Sequence, residues 1–251
     1  MKQTIRIQTT GAIAYVTLTC PEIDAATIAE LRAACGSIAD NDAVRAVVLT
    51  GEGATFSSGW HPALLADAAA LRDSGALDDP FGCLAALRQP VVAAVNGDAV
   101  GGGLALALAA DIRIASDAAQ FALPEVSAGL IPVAGATQRL ARLVGRGEAL
   151  RLILTGDTID AAEALRIGLV SEVVPAGELA SRAATIAGRL AERGPIALQY
   201  AKEAVTRGID MTLEQALRFE TDLTVILQTT DDRAEGVQAF LDKRKPEFKG
   251  K

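Results

Sequence analysis

An α/β fold is predicted by three observations. Short runs of β-branched residues alternate with stretches of helical spacing as far as about residue 137. Two of those runs, 46–50 (Ala-Val-Val-Leu-Thr) and 91–95 (Val-Val-Ala-Ala-Val), are mostly apolar at consecutive positions, as in strands covered on both faces. Glycine-rich turns follow strands and open helices.

Taken in order, Ile5, Ile7 and the run 13–18 flank a Thr9-Thr10-Gly11 break and read as a β-hairpin. Asp24 offers a carboxylate to the first amides of a helix in which Ile28, Leu31, Cys35 and Ile38 recur on one face. A strand at 46–50 follows, Pro62 starts the next helix, and 91–95 returns to strand before an Asn96-Gly97 turn and the run Gly101-Gly102-Gly103. A helix over 104–109 and a strand over 112–115 continue the alternation. Past residue 137 one brief apolar run, 169–174, remains and helical signals dominate. Asp160 with Glu163 is a capping-box variant, and Gly168 sits where a glycine ends such a helix. Helices are predicted over 178–192, 195–207, 212–228 and 232–241, the second with Pro195 near its first turn. This shift of class near 190–195 divides the chain into a core, 1–192, and a helical C-terminal region, 193–251.

With 251 residues, half of them hydrophobic, the chain can bury a large core without disulfide staples. Its 24 basic against 31 acidic side chains give a net charge of −7, which speaks against a nucleic-acid partner, since that affinity rests on neutralising phosphates. Cys20, Cys35 and Cys83 are odd in number with no Cys-x-x-Cys spacing, so a reducing compartment fits best. No stretch reads as a signal peptide or reaches 18 apolar residues. The expectation is a soluble, cytoplasmic protein with no membrane partner. One histidine and scattered cysteines supply no ligand cluster, so neither a metal nor a redox cofactor is expected.

Three local features are candidates for chemistry. Phe56-Ser57-Ser58-Gly59-Trp60-His61-Pro62 follows a buried strand and runs into a helix. Asn96-Gly97-Asp98-Ala99-Val100-Gly101-Gly102-Gly103 is a glycine-rich turn that also opens a helix. Both are expected to present backbone amides at helix N-termini, where unpaired donors favour negative charge, and two such donors can form an oxyanion hole. Tight helix–strand packing is the alternative reading of the glycines; their spacing matches neither a P-loop nor a dinucleotide fingerprint. The third is Glu125, a carboxylate in the apolar segment 119–132; burial without a cation would lift its pKa toward the range useful to a general acid or base. A solvated or capping role is the alternative.

The order of Val44-Arg45-Ala46-Val47-Val48-Leu49-Thr50-Gly51, Phe56-x-x-Gly59, the segment 90–103, Asp111-Ile112-Arg113-Ile114-Ala115, Pro124-Glu125, Thr137-Gln138-Arg139-Leu140 and Gly168-Leu169-Val170 resembles the crotonase, or enoyl-CoA hydratase/isomerase, superfamily. The closing segment 235–246 resembles that family's C-terminal signature, so the likeness covers nearly the whole chain. It implies a crotonase-like spiral of ββα units, with C-terminal helices that assemble a homotrimer or a dimer of trimers. It also implies an acyl-CoA thioester as substrate rather than a bound cofactor. The thioester oxygen would be held by the amides of Trp60 and Gly102. CoA contacts fall on Ser58, Trp60 and Pro62, and on Phe240 and Lys243 from the C-terminal region, often of a neighbouring subunit. A core aromatic and a solvated lysine are the alternatives for the last two.

Departures from the family pattern narrow the activity. Hydratases of the family carry two glutamates; this chain keeps one as Glu125 and has Ala105 where the other should stand. Hydration needs a water activated and a proton delivered, work shared by the two carboxylates. Moving a double bond needs one base, and Δ3,Δ2-enoyl-CoA isomerases of the family use a single carboxylate at the Glu125 position. The leading expectation is one-base enoyl-CoA isomerisation by Glu125. The alternatives are a hydratase with a degraded two-glutamate site and a non-catalytic acyl-CoA-binding protein. His61, where many members have Asp, and Asp98, in the Asn-Gly turn, are possible accessory groups. Val133 and Ala136 replace glycines, and Ile23-Asp24-Ala25-Ala26 replaces the family's Asn-Ala-Leu.

Overall fold

The computed structural model describes residues 3–251. Its frame is a six-stranded sheet. Ile5–Thr10 and Ile13–Leu18 form the expected antiparallel hairpin, with Ile5 opposite Leu18. Ala46–Gly51, Val91–Val95, Ile112–Ser116 and Glu172–Val174 then add in parallel in that order.

Neighbouring side chains on a strand face opposite sides of a sheet, which explains the consecutive apolar residues. Val47, Leu49, Val91, Ala93 and Val95 belong to a core that includes Ile28, Leu31 and Leu106. Their neighbours Ala46, Val48, Val92 and Ala94 pack instead with Leu179, Ala183 and Ala187 of the helix Leu179–Ala191. The first layer carries the Ala25–Ala39 helix, capped as expected by Asp24, whose carboxylate accepts the Thr27 amide at 2.8 Å.

The capping box at Asp160 is half formed. Asp160 accepts the Glu163 amide at 2.8 Å, but the Glu163 carboxylate turns to Arg151 and Arg166 instead of back to the cap. The predicted C-terminal helices appear as Leu179–Ala191, Pro195–Gly208, Leu213–Leu227 and Asp231–Leu241. The helix predicted from 104 begins at Gly102, and a 20-residue helix, Ala136–Thr155, kinks at Gly145.

Two small sheets escape sequence reading because strands of two or three residues carry no periodicity. Glu22–Ile23 pairs in parallel with Gly59–Trp60. Gln120–Ala122 lies between Ala99–Val100 and Ile159–Asp160.

The C-terminal helices are held to the sheet layer by polar contacts. Lys202 reaches Asp111 at 2.8 Å, and Arg45 donates to the carbonyl of Phe248 at 2.6 Å. The buried Asp232 carboxylate accepts the amides of Lys249 and Gly250 at 2.6 and 2.8 Å. Large apolar side chains of these helices lie in solvent, Leu213 at 76% and Phe240 at 83% exposure. Among the described residues no helix is long and apolar enough to cross a membrane.

Candidate active site

The small sheets lace the three sequence candidates together. Ser57 donates its amide to the Asp98 carbonyl at 2.9 Å and accepts the Val100 amide at 3.0 Å. Gly101 then donates to the carbonyl of Ala122 at 2.9 Å, carrying the ladder to the segment that ends in Pro124-Glu125. Asn96 staples the approach. Its Oδ1 accepts the Gly51 amide at 3.0 Å, and its Nδ2 donates to the carbonyl of Gly53 at 2.9 Å.

Trp60 does not sit at a helix N-terminus, as the sequence suggested. It is the second residue of a two-residue strand; the short helix Pro62–Ala66 starts after it and is capped by His61. His61 donates its amide to Ile23 at 2.9 Å. Amides alternate along a strand, so the Trp60 N–H points away from Glu22–Ile23. Gly59, at φ +100°, makes this course possible: a Cβ there would lie 2.7 Å from the Val100 carbonyl oxygen and 3.5 Å from the Gly102 nitrogen. The two candidate amide segments are therefore packed directly on each other.

Gly102 opens the helix Gly102–Leu108 at its first position, where an amide has no intrahelical acceptor, and the cap residue Gly101 offers no side chain. Close packing, the alternative reading of the glycines, is present at the next residue, where a Cβ on Gly103 would lie 2.6 Å from the Ser57 carbonyl oxygen.

Glu125 lies on the 3-10 turn Pro124–Ala128, 7% exposed, so the solvated alternative fails. Its carboxyl borders Gly101: a Cβ there would lie 3.0 Å from Oε1. Its Oε2 is buried without a hydrogen-bond partner. Burial raises its pKa above the ordinary carboxylate range, partly offset by its own backbone amide. Ala105, 1% exposed, lies in the uniformly buried helix that Gly102 opens.

The Trp60 indole covers the turn. A Cβ on Gly102 would lie 2.7 Å from its Cε2, and the ring stacks on Phe81 at 5.9 Å between centroids and 10° between planes. Phe81 carried no signal in the sequence. The segment that delivers it is clasped by Asp79, which binds Arg139 through two contacts of 2.9 and 2.7 Å.

The remaining candidates are peripheral. His61 is exposed; Nδ1 accepts the Ala63 amide at 3.2 Å and Nε2 lies 3.5 Å from Glu22. Asp98 has an exposed side chain and contributes its carbonyl alone to the ladder. Ser58 and Pro62 are exposed at the rim of the Trp60 segment. Phe240 and Lys243 lie at the end of the Asp231–Leu241 helix. Phe240 is no core aromatic, and neither residue hydrogen-bonds to the segments that hold Trp60, Gly102 and Glu125.

Residues 8–251 match the family described as enoyl-CoA hydratase/isomerase. A crotonyl-CoA hydratase of Syntrophomonas wolfei is 41% identical over 226 residues, covering 88% of this chain and 87% of its own. A short-chain-enoyl-CoA hydratase of Clostridium acetobutylicum is 39% identical over 251 residues, covering 94% of both. The crystal structure of an enoyl-CoA hydratase from Bacillus anthracis superposes with a TM-score of 0.96 at 38% identity, covering 99% of this chain and all of that one. With sequence and fold in agreement over nearly its whole length, this chain belongs to the enoyl-CoA hydratase/isomerase family of the crotonase superfamily.

Proposed function

We propose that the protein shifts the double bond of an enoyl-CoA thioester, with Glu125 as its single proton carrier. The observation that carries this reading is the asymmetry of the site: one buried carboxyl with an unpaired oxygen beside Gly101, and Ala105 where a second carboxylate would stand. In the proposed cycle the Glu125 carboxylate takes a proton from C2 of a 3-enoyl-CoA. The electron pair moves onto the thioester oxygen as a dienolate, and protonated Glu125 returns the proton to C4, giving the 2-enoyl-CoA. The amides of Trp60 and Gly102 would hold that oxygen, each donor contributing about 3–4 kcal/mol at the transition state. The step needs no net proton, electron or water, so one carboxyl suffices.

Ser58 and Pro62 would line the entry for CoA. Phe240 and Lys243 would complete it from a second copy, the exposed apolar face of the C-terminal helices closing a homotrimer or a dimer of trimers.

Hydration is the second reading, favoured by the hydratase names of relatives about 40% identical to this chain. Against it stands Ala105: one positioned acid or base is worth about 10² to 10⁴ in rate. Supplying 3-enoyl-CoA and 2-enoyl-CoA separately distinguishes the readings. Conjugation of the first without conversion of the second is the expected result; a 3-hydroxyacyl product from the second would favour hydration. Tight CoA-ester binding with no product from either would make the chain a binding protein.

A further inference from the structure

We propose that Trp60 acts beyond its backbone amide. Its indole Nε1–H selects acyl groups that carry an uncharged oxygen acceptor, a keto or hydroxyl oxygen, close to the reacting carbons. This rests on the acyl-CoA reading above and names the class of acyl group the site takes.

Trp60 is 6% exposed, and its Nε1 is buried with no hydrogen-bond partner. Buried indole N–H groups are normally paired, since leaving one dry and unpaired carries the full cost of its desolvation. The position of the atom follows from its ring neighbours. Cδ1 lies 3.9 Å from the Cβ position of Gly101, and Cε2 lies 2.7 Å from that of Gly102. Nε1 is bonded to both carbons, so it sits over the Gly101-Gly102 peptide, on the ground that borders the Glu125 carboxyl. Glu125 Oε2 is unpaired as well, so indole and carboxyl do not satisfy each other. An unmatched donor and an unmatched carboxyl oxygen thus flank the proposed reaction centre.

A hydrocarbon acyl chain leaves that donor unpaired on binding; one bearing an oxygen there pairs it. Sites built around a buried polar group reject analogues that lack the matching atom far more strongly than apolar pockets reject a missing methylene. The acceptor is uncharged because the segments 56–62, 96–103 and 121–129 contain no lysine or arginine, and Arg139 nearby is committed to Asp79. A second carboxylate beside Glu125 would be buried without compensation.

The test compares the dissociation constants of butanoyl-CoA, 3-hydroxybutanoyl-CoA, 3-oxobutanoyl-CoA and the carboxylate-bearing glutaryl-CoA for the full-length protein and its Trp60→Phe variant. Phe keeps a ring against Phe81 and deletes the N–H. We expect the hydroxy or oxo ester to bind at least tenfold more tightly than butanoyl-CoA and glutaryl-CoA to wild type. In Trp60→Phe that preference, read as the ratio of the two affinities whatever the overall change in CoA-ester binding, should fall to within twofold. Trp60 is the only tryptophan in the sequence, so its single indole N–H resonance gives a reading on the unmutated protein. It should move downfield with the hydroxy or oxo ester and not with butanoyl-CoA. Equal affinities for all four esters, a preference that survives Trp60→Phe, or an indole shift common to every ester would overturn the inference while leaving the acyl-CoA reading intact. Failure of wild type to bind any CoA ester would overturn both.

Discussion

The glycine-turn site and the C-terminal helices are unfinished in opposite ways. At Gly102 the packing is so tight that a Cβ would collide with the Trp60 ring, and at Gly101 one would press on the Glu125 carboxyl, yet buried polar atoms of Trp60 and Glu125 go unpaired. In the C-terminal helices, Thr212 and Gln215 complete a reciprocal capping box and Asp232 holds two tail amides, yet Leu213 and Phe240 stand in solvent. A dry, unpaired polar atom calls for a small ligand that reaches it; an exposed apolar face calls for another surface. The two kinds of partner therefore belong at different regions of the molecule, a small ligand at the glycine turn and a protein surface at the C-terminal helices.

The strongest challenge to this contrast is Glu125→Gln. Removing the proton carrier should lower kcat about 10² to 10⁴-fold in an isomerisation assay, with KM nearly unchanged. The wild-type pH profile sharpens the same point. Burial raises the Glu125 pKa, so the active carboxylate appears only as pH climbs through a value above the ordinary carboxylate range, and activity should rise across that window. The linked stability has the opposite sense. A raised folded-state pKa gives stability that is fully present below the unfolded value and is lost as pH rises through the folded one. Glu125→Gln should therefore melt above wild type at neutral pH and lose that advantage in acid.

Gly102→Ala comes next. The new methyl would sit 2.7–3.0 Å from the Trp60 ring carbons, so the ring or the helix start must shift. We expect a loss of about 10² in kcat from the displaced donor, and overpacking of about 1–3 kcal/mol seen as a lower melting temperature. In the other region, Leu213→Asp should leave the melting behaviour of the isolated chain nearly unchanged while dissociating the proposed oligomer, read by sedimentation. Burying one leucine is worth about 1.5–3 kcal/mol at each interface. The smallest effect belongs to Asp79→Asn. Its ion pair with Arg139 is partly exposed, so about 1 kcal/mol or less, and a melting shift of roughly 2–4 °C at most, is expected by thermal denaturation.

Much of the fold was legible. Consecutive apolar residues at 46–50 and 91–95 marked strands covered on both faces, and Asp24, Pro62, Pro195 and Gly168 marked helix ends by known capping chemistry. What escaped was short or non-local. The strand Gly59–Trp60 exists because Glu22–Ile23 is there to pair with it, and no pattern inside 56–62 announces that. This is why the sequence alone reads Trp60 as standing at a helix start. Phe81 is defined as a site residue only by the ring it stacks on, and Asn96 by carbonyls and amides more than forty residues away. Glu125 was legible as a carboxylate in an apolar stretch, but its unpaired oxygen is a property of three segments meeting.

In the proposed reaction a single carboxyl at residue 125 moves one proton between two carbons of a thioester. Its most direct test follows 3-enoyl-CoA by NMR in deuterated buffer, with wild type and Glu125→Gln side by side. Wild type should yield 2-enoyl-CoA, with deuterium appearing at C4 to the extent that the Glu125 proton exchanges, and no 3-hydroxyacyl-CoA; Glu125→Gln should yield neither product. Undiminished isomerisation by Glu125→Gln, or hydration of the conjugated ester at a matching rate, would contradict it.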